Sequence, residues 1–256
     1  MSMATIESLP VPLVLKSRNT TLREFMDAPD CDHARLARTY AQFARLNPLL
    51  SGWDRVYRRL LYPRMDRQRQ WSLLDVGCGD GALLDYLVHF RHVDGRGIEL
   101  STEGVKTSIS AGLSVIQGDA DTDLKDYPDD VFDYVVLSQT LQAMVQPKVV
   151  LEHLLRISKH AIVSFPNFAH WRARLSLGLL GRMPVSKTLP YEWFETPNIH
   201  FCTIKDFVEL CRQLDIIIES QKILDTNGSV RSFTSTLFSA NLLGEQAVFL
   251  LRKKKS

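Results

Sequence analysis

Cysteine is scarce and unpaired in this sequence. The 256 residues include four cysteines, and none of them forms a Cys-x-x-Cys pair or shows the spacing of a zinc site. This pattern excludes a disulfide-rich secreted module and favours a reduced, cytoplasmic protein. We predict no metal site.

Long apolar runs and an excess of charge are also missing. No stretch approaches the roughly 20 apolar residues that cross a bilayer, and residues 1–17 lack the basic start and apolar core of a signal peptide. The net charge of +2 does not by itself indicate an anionic membrane or a nucleic acid as partner. Apolar residues make up 45% of the chain, which is enough for a sizeable core. We expect no association with a membrane.

Three segments differ in their patterning. Residues 1–32 show no clear period and are predicted to be a poorly ordered lead-in. From residue 33 to 63, apolar residues recur at spacings of three and four, which predicts two short amphipathic helices with a break near Gly52. Residues 33–70 are therefore interpreted as an N-terminal helical extension, and residues 71–256 as the main domain.

Strand-like and helix-like runs alternate through the main domain. Seven runs have strand character, at 72–76, 93–100, 113–119, 131–138, 160–165, 214–224 and 245–252. Four helical patterns lie among the first six, which predicts an α/β, Rossmann-like fold with a mainly parallel sheet and helices on both faces. No long helix separates the last two strands, so we expect a hairpin that contributes one antiparallel strand.

A glycine-rich turn follows the first strand. Three glycines there are accompanied by two aspartates, at Gly77, Gly79, Gly81, Asp75 and Asp80. Such glycines permit a tight turn and let the backbone approach a ligand at a helix N-terminus. The second strand closes on Glu99 with Leu100 beside it, where a carboxylate can accept hydrogen bonds from ribose hydroxyls. Together these residues predict a nucleoside-binding site.

Two ligands compete for this site. Gly77, Gly79 and Ala82 also satisfy the dinucleotide fingerprint, so a nicotinamide or flavin nucleotide is the alternative. Its pyrophosphate carries about two negative charges and would lie beside Asp75 and Asp80, at a cost on the order of kcal/mol in a partly dry cleft. S-adenosylmethionine instead offers an ammonium and a sulfonium. Charge therefore favours S-adenosylmethionine as the cofactor.

Two further pairs of residues follow predicted strands. Asp119 and Ala120 come after the third strand, where the carboxylate and the amide can reach an adenine; the alternative is that Asp119 is a simple turn residue. Ser138 and Gln139 end the fourth strand. Open α/β sheets bind ligands at this carboxyl edge, so we add all four residues to the predicted cofactor site.

These motifs resemble the class I S-adenosylmethionine-dependent methyltransferases. That resemblance assigns Asp75 to the donor's amino group, Glu99 to its ribose and Asp119 to its adenine. From Leu73 to Glu219 the chain is more specifically similar to the methionine-biosynthesis MetW family, through strings such as VIQGDAD, FDYVVLSQTLQAM and GRMPVSKTLPYEWFETPNIHFCT.

The resemblance implies a methyltransferase linked to methionine biosynthesis that acts on an unidentified small molecule. It also implies a link with homoserine O-acyltransferase. The alternative function is therefore a non-catalytic subunit that binds S-adenosylmethionine and supports or regulates that acyltransferase.

An oxygen or nitrogen acceptor of a methyl group can need a base. Candidates after the fifth strand are His170, Tyr191 and His200, since a histidine with a pKa of about 6.5 suits this task at neutral pH. The alternatives are a surface turn for His170 and a cap for His200, ahead of a helix near Thr203. No Asn/Asp-Pro-Pro-aromatic or Pro-Cys string follows the fourth strand, which argues against methylation of nucleobases.

Two surface patterns remain. A run of arginines is interpreted as the solvated face of a helix and its exit, so nucleic acid is not expected as a partner: Arg55, Arg58, Arg59, Arg64, Arg67 and Arg69. An apolar stripe downstream indicates a lid, a docking face for a partner or plain core: Trp171, Leu175, Leu179 and Leu180.

Overall fold

The computed structural model describes residues 52–65, 68–91, 93–186, 189, 191–193, 196, 198–224, 229–232 and 237–254. Within them one sheet carries helices on both faces. Its eight strands are β1 Ser72–Val76, β2 Asp94–Glu99, β3 Val115–Gln117, β4 Phe132–Ser138, β5 Ser158–Pro166, β6 Ile216–Leu224, β7 Val230–Ser232 and β8 Gln246–Lys253.

The helices alternate with the strands as predicted. They are α1 Trp53–Val56, α2 Ala82–Arg91, α3 Thr102–Ser110, α4 Ala120–Asp123, α5 Pro147–Ile157, α6 Trp171–Leu175, α7 Ile204–Gln213 and α8 Leu237–Leu243. Wider π-type turns continue α1 over Tyr57–Leu61 and α6 over Ser176–Leu180. No helix in the described part of the chain is both long and apolar enough to cross a membrane.

The strand order creates a ligand-binding edge. It runs β3-β2-β1-β4-β5-β8-β6-β7, and the first five strands pair in parallel. Because successive strands extend one way from β1 and the other way from β4, the order reverses between these two strands. Ligands of open α/β sheets bind at the carboxyl ends of the strands beside such a reversal. The predicted class I methyltransferase fold is confirmed.

The C-terminal strands differ in detail from the prediction. The structure has eight strands in place of seven, because Val230–Ser232 pairs with the end of β6. A three-residue strand is too short to show a period of two, so the pattern did not indicate it. The predicted hairpin is also wrong in form: β7 and α8 separate β6 from β8. As expected, β8 is antiparallel, and it lies between β5 and β6.

Alternation along the central strands builds two cores. In β1, Leu74 and Val76 face the core that contains α5 and α7, and Leu73 faces the core that contains α1 and α2. Successive side chains of a strand point to opposite faces, so a strand buried on both faces is apolar at nearly every position. The exception in β1 is Asp75, which is buried although it is polar.

The N-terminal helix belongs to the second core. Gly52 adopts a left-handed conformation with φ 60° and is the N-cap of α1. Trp53 and Leu60 are buried in the same cluster as Leu73. Residues 1–51, which include the lead-in and the first predicted helix, lie outside the described residues. The division into segments 1–32, 33–70 and 71–256 stays a prediction.

Most of the arginine run has partners within the fold. Arg58 pairs with Asp54, and Arg69 bonds to the buried Asp133. Arg64 donates to the carbonyl of Leu60, and Arg59 donates to the carbonyl of Val230. These contacts fit the interpretation of a helix face and its exit, since Arg58 and Arg64 bond within this segment, and Arg59 and Arg69 join it to the sheet. Arg67 lies outside the described residues.

The packing of α1 gives a testable prediction. Leu60 is completely buried, so Leu60→Ala should lower the free energy of unfolding by about 2–5 kcal/mol, the usual cost of such a cavity. Urea denaturation followed by circular dichroism measures this change. Ile109→Ala on the exposed side of α3 is the control, with an expected change below about 1 kcal/mol. Equal effects of the two substitutions would contradict the packing described for α1.

Candidate functional site

One carboxylate organises the carboxyl edge of the sheet. Glu99, at the end of β2, accepts from the Gly79 amide at 2.8 Å with Oε2 and from the Ser101 amide at 2.8 Å with Oε1. The side chain is 8% exposed. Each carboxylate oxygen has a second lone pair, so Glu99 can still accept hydrogen bonds from a ligand. The glycine turn and the start of α3 are thus tied to one acidic group.

Two glycines permit the close approach of backbone segments here. A Cβ on Gly77, where φ is 68°, would lie 2.6 Å from Cγ2 of Thr140. A Cβ on Gly104 would lie 2.6 Å from the Gly79 carbonyl oxygen. Both distances are impossible contacts, so α3 and the segment after β4 can reach the turn only because these positions are glycine. Sequence reasoning missed Gly104, although a glycine inside a helix is a signal of close packing.

Asp75 is a buried carboxyl group without a full set of partners. It is 1% exposed, and its Oδ2 has no hydrogen-bond partner. Burial, and to a smaller extent the neighbouring Glu99, raises the pKa of Asp75 to about 8. The group therefore holds its proton through most of the neutral range in this ligand-free state. A cation placed beside it would favour the ionised form.

The remaining predicted cofactor residues surround this pair. Asp80 accepts from the Ala82 amide at the start of α2, and Asp119 accepts from the Asp121 amide as the N-cap of α4. Both side chains therefore cap helices, a role that for Asp119 differs from the simple turn residue considered as its alternative. Ala120 is buried, whereas Leu100 is exposed at the end of β2. Gly81 completes the turn with φ 80°.

The end of β4 lies across the reversal point from the glycine turn. Ser138 accepts from the indole of Trp53 at 3.0 Å and lies 3.2 Å from the hydroxyl of Ser164. Gln139 has φ 60°, and its amide donates to the Ser164 carbonyl. The N-terminal helix is therefore attached to the candidate site itself. The sequence held no signal for the bond between Trp53 and Ser138, because the two residues are 85 positions apart.

His200 is the one base candidate that the described hydrogen bonds join to the β4 end. Its amide donates to the carbonyl of Gln142, two residues beyond Thr140. Its Nε2 is buried and has no hydrogen-bond partner. The helix α7 begins after Thr203, whose own side chain caps it, so the capping role considered for His200 is wrong. Gln142 is buried as well and was missed by the sequence reasoning.

The other two base candidates are placed differently. His170 precedes α6 and lies 4.0 Å from Glu245, beside the start of β8. It is buried, not on a surface turn, and burial lowers its pKa, as does the nearby Arg172. His170 is therefore neutral at pH 7 and is held between β5 and β8. Tyr191 is half-buried in the connection from α6 to α7.

The apolar stripe is on the surface. Its four residues, which were candidates for core, a lid or a docking face, are all exposed on α6 and the turn that continues it: Trp171, Leu175, Leu179 and Leu180. Leu179 is 77% and Leu180 71% exposed. The core interpretation is wrong, because no other part of the described chain buries this face of the helix. A lid and a docking face remain.

The residues that the structure describes contain no set of ligands for a metal ion. No group of three histidine, cysteine or acidic side chains in that part of the chain could hold a metal ion. Cys78, Cys202 and Cys211 are free thiols. Burial raises the pKa of each, which keeps them protonated and unreactive at neutral pH.

The fold is similar to those of solved methyltransferases. A possible histamine N-methyltransferase from Thermotoga maritima, which is S-adenosylmethionine-dependent, superposes with a TM-score of 0.61 at 17% identity, over 86% of this chain and 97% of that one. The plantazolicin methyltransferase BpumL in complex with SAH gives 0.57 at 18% identity, over 88% and 92% of the two chains. At these identities the likeness concerns the fold alone.

Sequence comparison identifies the family. A bifunctional methionine biosynthesis protein MetXA/MetW from Rhodopirellula baltica is 35% identical over 169 residues, which are 62% of this chain. The chain matches only 27% of that protein's length. The family model described as methionine biosynthesis protein MetW matches residues 68–251, from the polar link before β1 to the last strand. The chain belongs to the MetW family of methionine biosynthesis proteins.

Proposed function

We propose that the chain binds S-adenosylmethionine at the carboxyl ends of β1, β2 and β4 and transfers its methyl group to a small molecule. The observation that carries this proposal is the buried pair of Asp75 and Glu99 beside the glycine turn. Membership of the MetW family and the methyltransferase fold support it. The sulfonium and the ammonium of S-adenosylmethionine supply the positive charge that such a pair favours.

The protonation equilibrium of Asp75 makes the site favour a cationic ligand. Because burial and Glu99 raise its pKa to about 8, Asp75 is largely protonated at neutral pH in the ligand-free protein. A cationic ligand stabilises the ionised carboxylate, so binding is coupled to release of a proton. An anionic ligand has the opposite effect and keeps the proton in place. The buried carboxyl therefore distinguishes the two ligands without a direct contact to the reacting methyl group.

A dinucleotide fits this edge less well. Its pyrophosphate would approach Glu99, whose two oxygens already face the Gly79 and Ser101 amides that would otherwise be available to a phosphate. A phosphate site at a helix N-terminus depends on free backbone amides. Here one amide of the glycine turn, that of Gly79, is already bonded to the carboxylate of Glu99. The geometry thus favours a ligand that presents hydroxyls and cations to acids.

Methyl transfer requires little from the protein beyond placing the acceptor correctly relative to the methyl donor. The reaction is an in-line displacement at the methyl carbon, so the acceptor must lie opposite the sulfur, and its positioning supplies much of the rate. The residues after β4 lie beside the glycine turn through the contact of Thr140 with Gly77. We assign the acceptor to this side, with His200 as the base. His170 and Tyr191 have a weaker case, since the described contacts hold His170 at the start of β8.

A second function has its own supporting observation. The relative from Rhodopirellula baltica is named for a fusion of MetXA with MetW, and more than two thirds of its length lies outside the match. The exposed stripe of α6 is a surface that a partner could bury. We therefore keep as the second candidate a subunit that binds S-adenosylmethionine and supports homoserine O-acyltransferase. Both candidates share the same cofactor site.

The cofactor site can be tested through Glu99. In Glu99→Gln, one carboxylate oxygen becomes an NH2 group, which cannot accept a hydrogen bond from a ribose hydroxyl. Loss of a hydrogen bond to a charged group costs about 1.5–3 kcal/mol, so calorimetry should show S-adenosylhomocysteine binding weakened by roughly 10- to 150-fold. Glu103→Gln, an exposed change on the first turn of α3, is the matched control. Equal affinities of the wild type and Glu99→Gln would remove the assignment of Glu99.

The protonation of Asp75 predicts a pH dependence of stability. A carboxyl with a pKa of about 8 in the folded state and about 3.9 in the unfolded chain stabilises the fold fully below about pH 4, and this contribution is lost as the pH rises to about 8. Between pH 5.5 and 8.5 the Tm of the ligand-free wild type should therefore fall more than that of Asp75→Asn. Parallel Tm curves for the two proteins would show that Asp75 does not hold its proton.

Turnover distinguishes the two candidate functions. With methyl-labelled S-adenosylmethionine and candidate small acceptors, we expect label in a product. Leu179→Asp on the exposed stripe should leave this turnover unchanged, and Ile109→Asp on α3 is its control. The subunit function predicts the reverse: no labelled product, and a homoserine O-acyltransferase whose activity depends on the wild-type chain and is lost with Leu179→Asp but not with Ile109→Asp.

A further inference from the structure

We propose that Gln142 and His200 form the acceptor subsite and that they bind a neutral primary amine. This inference rests on the proposed function and adds the chemical class of the molecule that receives the methyl group. Two buried polar atoms without partners, Oε1 of Gln142 and Nε2 of His200, carry it. They belong to residues that are hydrogen-bonded to one another through their backbones.

The orientation of the Gln142 amide is determined by its neighbour. Its Nε2 donates to the carbonyl oxygen of Gln139 at 2.6 Å, and a carbonyl oxygen can bond only to the NH2 end of the amide. The Oε1 end is therefore the one left without a partner. Gln142 is 4% exposed, so this acceptor is shielded from bulk water. A buried acceptor of this kind is stabilised by a ligand that brings a donor.

His200 supplies the second acceptor. The amides of Ile199 and His200 both donate at 3.0 Å to the carbonyl of Gln142, which fixes this stretch of chain against the turn after β4. In the tautomer with its proton on Nδ1, His200 presents a lone pair at Nε2. Two acceptors, from residues that this backbone hydrogen bond joins, therefore remain unpaired.

The pair lies next to the proposed donor site. Thr140, which lies between Gln139 and Gln142 in the chain, packs against Gly77. A Cβ added at Gly77 would lie 2.6 Å from the Cγ2 atom of Thr140. The Gln142 amide folds back onto Gln139, at the end of β4. The unpaired Oε1 is thus held at the reversal point of the strand order, where an acceptor can reach a methyl group bound over the glycine turn.

A neutral primary amine matches two acceptors and one methyl donor. Its two N–H groups bond to Gln142 Oε1 and His200 Nε2, and its lone pair is left for the methyl carbon. The nitrogen forms a bond to that carbon while the carbon–sulfur bond breaks, and its electron pair stays on sulfur. The resulting secondary ammonium gives one proton to His200 Nε2. An alcohol has one O–H and would leave one of the two acceptors unpaired.

The simplest probe of this subsite is methylamine, compared with tetramethylammonium. An alkylamine has a pKa close to that of lysine, so at about pH 9.4 roughly one tenth of methylamine is neutral, with two N–H donors and a lone pair, whereas tetramethylammonium is a cation without N–H donors. At this pH we would titrate each into the full chain saturated with S-adenosylhomocysteine and follow the side-chain 15N signals of Gln142 and His200 by NMR. Methylamine should shift both signals with a dissociation constant of about 10 mM for its neutral form, near the limit for so small a ligand. Tetramethylammonium should shift neither.

Substitutions at the two residues give the matched test. Gln142→Met and His200→Phe should each weaken methylamine binding about tenfold and leave the affinity for S-adenosylhomocysteine unchanged, which also reports that the variants fold. Gln213→Met and His89→Phe, at exposed ends of α7 and α2, are the controls. The inference is overturned if methylamine causes no shifts below about 100 mM, or if tetramethylammonium shifts the signals equally. Failure of S-adenosylhomocysteine to bind the wild type would instead reject the proposed function.

Discussion

The two hydrogen bonds that Glu99 accepts hold the candidate site together. They join three segments that are separate in the chain: the glycine turn after β1, the end of β2 and the start of α3. Gly104 lets α3 approach closely enough for this arrangement. Because backbone amides bonded to one buried carboxylate cannot move independently, the site exists before any ligand arrives. Such preorganisation lowers the cost of binding.

The sequence predicted the part of the site that depends on local order. A strand, a turn and a helix within 25 residues place Asp75 and the glycines at one edge, and parallel pairing brings Glu99 beside them. The acceptor side depends on long-range contacts that no pattern encodes. His200 reaches Gln142 across α5, β5 and α6, and Trp53 reaches Ser138 from the N-terminal helix. The spacing of apolar residues identifies each helix or strand, but it does not show which loops contact one another in the folded chain.

The difference between local and long-range signals also explains the errors in the predicted fold. The central strands are buried on both faces, so their apolar runs are strong signals. At the C-terminal end, β7 has three residues and α8 has seven, and both are too short for a period to stand out. The position of β8 between β5 and β6 follows from the pairing of the completed sheet. No local feature of its sequence distinguishes this position from the edge.

Asp75 shows why a site of this kind destabilises its own fold. A buried carboxyl that is paired with another acid and lacks one hydrogen bond costs free energy in the ligand-free protein. Replacing it with an apolar residue would remove that cost together with the preference for a cation. A cationic ligand, as in the proposed function, would compensate this cost. A cost in stability of this kind is expected at a binding site.

The two candidate functions use one connected surface. The exposed stripe lies on α6, directly after the end of β5, and the amide of Phe168 in that link donates to the carbonyl of Cys202. Cys202 is two residues from His200. A partner seated on α6 would thus contact an element tied to the acceptor side. If cofactor occupancy changes the affinity for the partner, the partner changes the affinity for the cofactor by the same factor, because coupling between two binding sites is reciprocal. The two candidate functions, catalysis and support of a partner, would in this respect depend on one arrangement.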